Sequence, residues 1–87
     1  MPLRKRNHLM TETLLKAVQF ALDGQWDQSH QIVQEINTNH SNWIHAVLHK
    51  IEGDESNSRY WYAQTDHDYL DFDDPNQELK AIQSELT

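Results

Sequence analysis

Two histidines and a glutamate share one face of a predicted helix, where they could bind a divalent metal ion. His45, His49 and Glu52 are spaced by four and three residues, so a helix places them within an arc of roughly 60°. Two imidazoles one turn apart can chelate zinc or a similar ion, and Glu52 or Asp54 could supply a carboxylate ligand. The zinc-peptidase motif His-Glu-x-x-His is not met, because Ala46 stands where its glutamate would be.

Two other roles for this face stay open. The same side chains could form a hydrogen-bonded cluster that orders the turn at Gly53, or they could contact a ligand or partner. The apolar stripe of the helix points about 130° away, so the face lies away from the core of its own hairpin. It is then either open to solvent or covered by residues 66–74.

A second set of candidates follows in the segment Arg59-Tyr60-Trp61-Tyr62. Trp61 and Tyr62 continue an inward-facing helical stripe, which predicts core packing. Arg59 and Tyr60 fall on other faces and are predicted recognition residues. The acidic stretch 66–74 lacks the glycine and the final glutamate of a calcium-binding EF-hand loop, so we expect a solvated loop there.

Composition and charge restrict the classes of function. The chain has 87 residues, a net charge of −7 and no cysteine, which predicts one acidic domain without disulfides or thiolate metal sites. An acidic body repels phosphate backbones, so nucleic-acid binding is not expected. We see no signal peptide and no apolar run long enough to span a membrane, and expect a cytoplasmic protein. Residues 1–8 are predicted to be a flexible basic arm.

Apolar spacing and capping residues predict an all-α fold of five helices. The first is expected from Leu9 or Thr11 to residue 23, the second over 26–36, the third over 43–52 and the fourth from about 56 to 65. Ser41 or Asn42 is the expected cap of the third helix, and Ser56 that of the fourth. Asp74 and Pro75 predict the start of a last helix at 75–86.

The two glycines of the chain, Gly24 and Gly53, lie 29 residues apart, and each is followed five positions later by a serine. A shift by 29 aligns Ser29 with Ser58 and places alanines at equivalent positions upstream. The pattern predicts an internal repeat: two stacked antiparallel hairpins at 9–37 and 42–65, an acidic loop at 66–74, and a capping helix.

The turn Gly24-Gln25-Trp26-Asp27-Gln28-Ser29 resembles the hairpin turn of tetratricopeptide repeats, although the period differs from the family's, which is about 34. In that family the first helix of each hairpin lines a concave surface. The resemblance implies that His45 and His49 face a groove beside Lys16 and Phe20. Residues 43–62 also resemble a signature of small bacterial proteins without an assigned activity.

The sequence therefore favours a small helical-repeat protein that binds a protein or peptide, with Lys16, Phe20, His45, His49, Glu52, Arg59 and Tyr60 as candidate binding residues. The alternatives are a metal- or small-ligand-binding protein centred on His45, His49 and Glu52, and a structural homodimer. No catalytic motif is present in the sequence, and no cofactor is implied beyond the possible divalent metal.

Overall fold

The computed structural model describes the backbone of residues 2–87 and the side chains of residues 9–87. Within this range the chain forms five α-helices and no strand, which confirms the all-α fold class. The helices are α1 (Pro2–Leu22), α2 (Trp26–Val33), α3 (Asn39–Ile51), α4 (Glu55–Tyr62) and α5 (Pro75–Leu86).

The N-terminal helix α1 begins at Pro2, earlier than the predicted start at Leu9 or Thr11. The predicted basic arm, residues 1–8, falls on residues whose side chains lie outside the described part of the chain. Over residues 2–87, none of the helices combines the length and the apolar character that crossing a membrane requires.

The helices form two pairs, α1 with α2 and α3 with α4, and each pair is joined by a glycine turn. Gly24 has a φ of 79° and Gly53 a φ of 82°, a left-handed conformation that glycine adopts without the steric cost of a side chain. The same two backbone hydrogen bonds close both turns, in the Schellman arrangement common at helix ends. Gly24 and Gln25 donate to Ala21 and Phe20, and Gly53 and Asp54 donate to Lys50 and His49.

A buried serine joins the two helices of each pair. Ser29 Oγ donates to the carbonyl of Ala17 at 2.7 Å, and Ser58 Oγ donates to the carbonyl of Ala46 at 2.6 Å. All four residues are fully buried, so the helices cross closely where both side chains are small. The two contacts are related by the 29-residue shift that the sequence repeat predicts.

Helix α3 begins before its predicted boundary near Trp43. Thr38 is the N-cap, and its side chain accepts a hydrogen bond from the Ser41 backbone at 3.1 Å. Ser41 and Asn42, the predicted caps, lie buried inside the helix instead. The Ser41 hydroxyl donates to the Val33 carbonyl at 3.0 Å, which binds the start of α3 to the end of α2.

Two further boundaries differ from prediction. Helix α2 ends at Val33 rather than at Ile36. Asp54, rather than Ser56, caps α4, because its side chain accepts the Asn57 backbone N–H.

Helix α5 packs against α1 and α3, the first helix of each pair. Asp74 caps it and Pro75 occupies its first turn. Leu79 and Ile82 are fully buried and join the core of α1 and α3. Helix α5 therefore covers the side of the two pairs to which α1 and α3 contribute.

A buried ion pair fastens α5 to α3. Lys50 Nζ lies 2.9 Å from Glu78 Oε1, and Glu78 is fully buried. The other carboxylate oxygen of Glu78 accepts from Trp43 Nε1 at 2.8 Å and from the Tyr62 hydroxyl at 2.7 Å. Burial and the bond to Glu78 raise the pKa of Tyr62, so it stays a neutral donor. Lys50 also donates to the carbonyls of Tyr69 and Phe72, which holds the loop before α5.

Candidate histidine site

Three histidines meet where α3 lies between α2 and α4. His45 and His49 on α3 are buried, and His30 on α2 is half-buried. The Nε2 atoms of His30 and His45 are 3.0 Å apart. One ligand nitrogen from each of the three rings lies within 4.8 Å of the other two. The predicted histidine pair is thus part of a cluster of three, to which the first helix pair contributes His30.

Two tryptophans bracket the cluster. Trp26 stacks on His30 with ring centroids 4.7 Å apart, and its indole N–H donates to the Leu48 carbonyl at 2.7 Å. Trp61 stacks on His45 with ring centroids 3.9 Å apart. These contacts fix the planes of two imidazoles and replace water on their faces with aromatic carbon.

This environment favours the neutral imidazoles. Burial is the largest cause of a lowered pKa at His30, and a positive charge on His49 would lower it further. Burial also lowers the pKa of His45 to about 4, with additional repulsion from His30 and His49. Both rings are therefore neutral at pH 7, and each has one ring nitrogen with a free lone pair, the form of histidine that binds a metal ion.

His45 carries an unpaired polar atom. In the short contact between His30 and His45, one Nε2–H donates to the other ring's bare Nε2. Either tautomer leaves Nδ1 of His45 without a partner. Among the side chains of residues 9–87, this nitrogen is the buried polar atom that lacks a hydrogen bond. A buried polar group without a partner costs about 1–3 kcal/mol, so this nitrogen is a local cost to the stability of the fold.

Glu52 contacts the cluster through His49 rather than as one of the three converging ligands. Its Oε1 lies 2.6 Å from His49 Nδ1, so it accepts the Nδ1 proton and leaves Nε2 as the free lone pair. A carboxylate in this position orients a metal-bound histidine and increases its basicity. Glu52, Asp54 and His49 also form a second possible ligand group, but both carboxylates are exposed and Asp54 caps α4.

The groove expected beside Lys16 and Phe20 is not where the histidines lie. Lys16 is exposed and Phe20 half-buried on α1, whereas the ring contacts of His45 and His49 reach α2 and α4. Residues 66–74 do not form the cover over the histidines either. That cover comes from α2 and Trp61, while the loop contacts α3 at Trp43 and Lys50.

The two predicted recognition residues on α4 lie in different surroundings. Arg59 pairs with Glu55 at 2.8 Å, and its guanidinium lies 4.5 Å from the ring centroid of Tyr69. Tyr60 is 58% exposed and meets Trp61 edge to face. Arg59 is thus engaged with the loop, and Tyr60 is free to contact another molecule.

Sequence reasoning missed His30, because it lies 15 residues before His45 on a different helix. A usable signal was its position directly after Ser29. That serine faces α1, so the next residue is turned by about 100° around the helix and can reach the following helix pair.

Comparison with known proteins identifies no relative. No protein-family model matches the chain, no curated protein matches its sequence and no solved structure matches its fold. The resemblances to tetratricopeptide repeats and to the small bacterial signature therefore stay predictions.

Proposed function

We propose that this protein binds one divalent transition-metal ion, such as zinc, through His30, His45 and His49. The observation that carries the proposal is the convergence of three ligand nitrogens within 4.8 Å of one another. Two nitrogens on a tetrahedral zinc ion lie roughly 3.4 Å apart, close to the 3.0 Å between His30 Nε2 and His45 Nε2.

The chemistry of the cluster supports this assignment. Imidazole nitrogen is a good ligand for zinc, copper and nickel. Binding would move the shared proton to Nδ1, and the bond from His49 to Glu52 already presents Nε2. Among the described side chains no further histidine or carboxylate joins the group of three, so water is the expected fourth ligand.

Calorimetric titration of the metal-free protein with zinc tests the proposal. We expect one equivalent to bind, and binding to be lost in His30→Ala and in His45→Ala. Glu52→Gln should weaken it by about 10–100-fold, since the orienting carboxylate is removed. His40→Ala is the matched control, because His40 pairs with Glu85 outside the cluster. Equal affinity in His30→Ala and the parent protein would reject the site.

A second function, binding of a protein or peptide, is favoured by a different observation. A cavity of about 290 Å³ lies between α2 and α4, and the exposed Tyr60 lines it. The surface over α1 and α3 is less suited, because α5 already covers it. A pull-down compared with one using Tyr60→Ala tests this function; retention of every partner by the variant would count against it.

The arrangement of the helices is proposed to be that of two tetratricopeptide-like hairpins. Its support is the 29-residue recurrence of the glycine turn and of the serine-to-alanine hydrogen bond. In such a stack the histidine site lies between neighbouring hairpins, on the side of their second helices.

A further inference from the structure

The cavity between α2 and α4 has a composition that selects a particular kind of ligand. It adjoins the histidine site through Trp61, whose ring also stacks on His45. The sides of the cavity are formed by the end of α2, by the segment that follows it and by α4. Asn42 of α3 also lines it. The lining residues are Val33, Gln34, Glu35, Ile36, Asn37, Asn42, Tyr60, Trp61 and Gln64.

The lining favours a cation over an anion. Tyr60 and Trp61 line the cavity with two rings that meet edge to face, with centroids 5.1 Å apart. One face of Trp61 stacks on His45, so the exposed ring of Tyr60 offers the aromatic face that attracts a cation. Glu35 adds a carboxylate, and none of the described lining residues is a lysine or an arginine. The net charge of −7 adds a long-range attraction for basic partners.

The polar groups of the lining suit a planar cation better than a compact one. Four carboxamides accompany the rings and the carboxylate, at Gln34, Asn37, Asn42 and Gln64. Asn42 is 4% exposed, and its amide donates to Asn37 Oδ1 at 3.0 Å, which leaves its carbonyl oxygen as an acceptor. A guanidinium has five donors in one plane and stacks on aromatic rings, whereas an ammonium is a strongly hydrated point charge.

We propose that this cavity binds an arginine side chain of a basic peptide, with the guanidinium against Tyr60 and Trp61 and its charge paired with Glu35. The proposal rests on the second of the two functions above and is independent of metal binding. Tyr60 can be reached from solvent, because more than half of its surface is exposed.

Titration of the ¹⁵N-labelled protein in EDTA with the blocked tripeptide Gly-Arg-Gly tests the proposal, because the amide signals of Tyr60, Trp61 and Gln64 report binding. Gly-citrulline-Gly is the matched probe, since citrulline keeps the shape of arginine and lacks its charge. We expect saturable shifts with the arginine peptide and at least about fivefold weaker binding of the citrulline peptide.

Variants locate the contact. Glu35→Gln and Tyr60→Ala should each weaken arginine-peptide binding by about fivefold, while Tyr60→Phe keeps the ring and the affinity. Asp73→Asn removes an equal charge from the loop before α5 and should leave affinity unchanged. Equal binding of both peptides would overturn the arginine assignment and leave peptide binding standing. No shift with either peptide would overturn both the arginine assignment and peptide binding at this surface.

Discussion

The two helix pairs share a framework and differ in the side chains that they carry on it. Each pair has a left-handed glycine turn closed by the same hydrogen bonds, and a buried serine bonded to an alanine carbonyl. At equivalent positions, 29 residues apart, Lys16 and Phe20 of the first pair correspond to His45 and His49 of the second. The framework thus sets where helices cross, and the variable positions determine the chemistry.

The difference is greatest where the pairs meet. His30 on the outer side of the first pair contacts the second, whereas its counterpart Arg59 contacts the loop before α5 through Tyr69. The face of α1 that carries Lys16 has no helix pair before it within the described residues. A histidine cluster can therefore form only at the junction, because its ligands come from both pairs.

The largest expected effect concerns how α5 docks on the two pairs. Lys50 of the second pair is the counterpart of Ala21 in the first, so α5 meets a charge on one pair and an apolar surface on the other. Lys50→Met should lower the free energy of unfolding by about 3–5 kcal/mol, because Glu78 is left buried and unpaired. Urea unfolding measures the change, and Lys80→Met, at an exposed position of α5, should stay within about 0.5 kcal/mol.

A second substitution separates charge from packing in this network. Lys50→Met combined with Glu78→Gln removes the buried charge while an amide oxygen still accepts from Trp43 and Tyr62. We expect the double variant to regain much of the stability lost in Lys50→Met. If the double variant is as unstable as the single one, the ion pair is not the reason for the loss.

The next effect is a pH dependence of stability that comes from His45 of the second pair, to which the lowered pKa of His30 in the first pair adds. The pKa of His45 is lowered to about 4 in the folded protein, against about 6.5 in the unfolded chain. As pH falls below about 6.5 the unfolded chain binds the proton first, so stability decreases down to about pH 4. Over this range, protonation linked to His45 lowers the free energy of unfolding by up to about 3 kcal/mol.

Urea unfolding in EDTA between pH 4 and 8 measures this contribution. His45→Asn should flatten the decrease, and Lys16→Asn, the equivalent change in the first pair, should not alter its slope. An unchanged slope in His45→Asn would show that the ring is not held neutral by burial.

The smallest expected effects on stability come from removing the buried serine hydroxyls, and they should be equal in the two helix pairs. Ser29→Ala and Ser58→Ala each remove one hydrogen bond to a backbone carbonyl, at a cost of about 1 kcal/mol. Thermal or urea unfolding of both variants compares them directly. A measurable cost at one serine and none at the other would mean that the two crossings are not equivalent.

Local signals in the sequence predicted much of the fold. Gly24 and Gly53 sit at the two tight turns, because the left-handed conformation selects glycine, and Asp74 with Pro75 begins α5. The start of α3 was misplaced, because Thr38 caps it while Ser41 is used in a tertiary bond to Val33. A residue's choice between capping and tertiary bonding depends on neighbours that are distant in sequence.

The site was predictable only in part, for the same reason. His45 and His49 were predicted because they lie one turn apart on the same helix. Glu52 was predicted on the same face as a metal ligand, but in the structure it accepts a hydrogen bond from His49 Nδ1 instead. His30 and the stacking tryptophans join through packing between helices, which helical periodicity does not report. The buried pair of Lys50 and Glu78 was missed because charged residues are rarely buried, and its partners lie 28 residues apart.

Long-range ¹H–¹⁵N correlation spectra of the histidine rings, recorded with and without one equivalent of zinc, test the central claim most directly. We predict that the ring nitrogens of His30, His45 and His49 shift together and saturate at one equivalent, with His40 and His67 unchanged. If His30 keeps its metal-free shifts while zinc binds elsewhere, or if all histidines respond alike, the two helix pairs do not share a metal site.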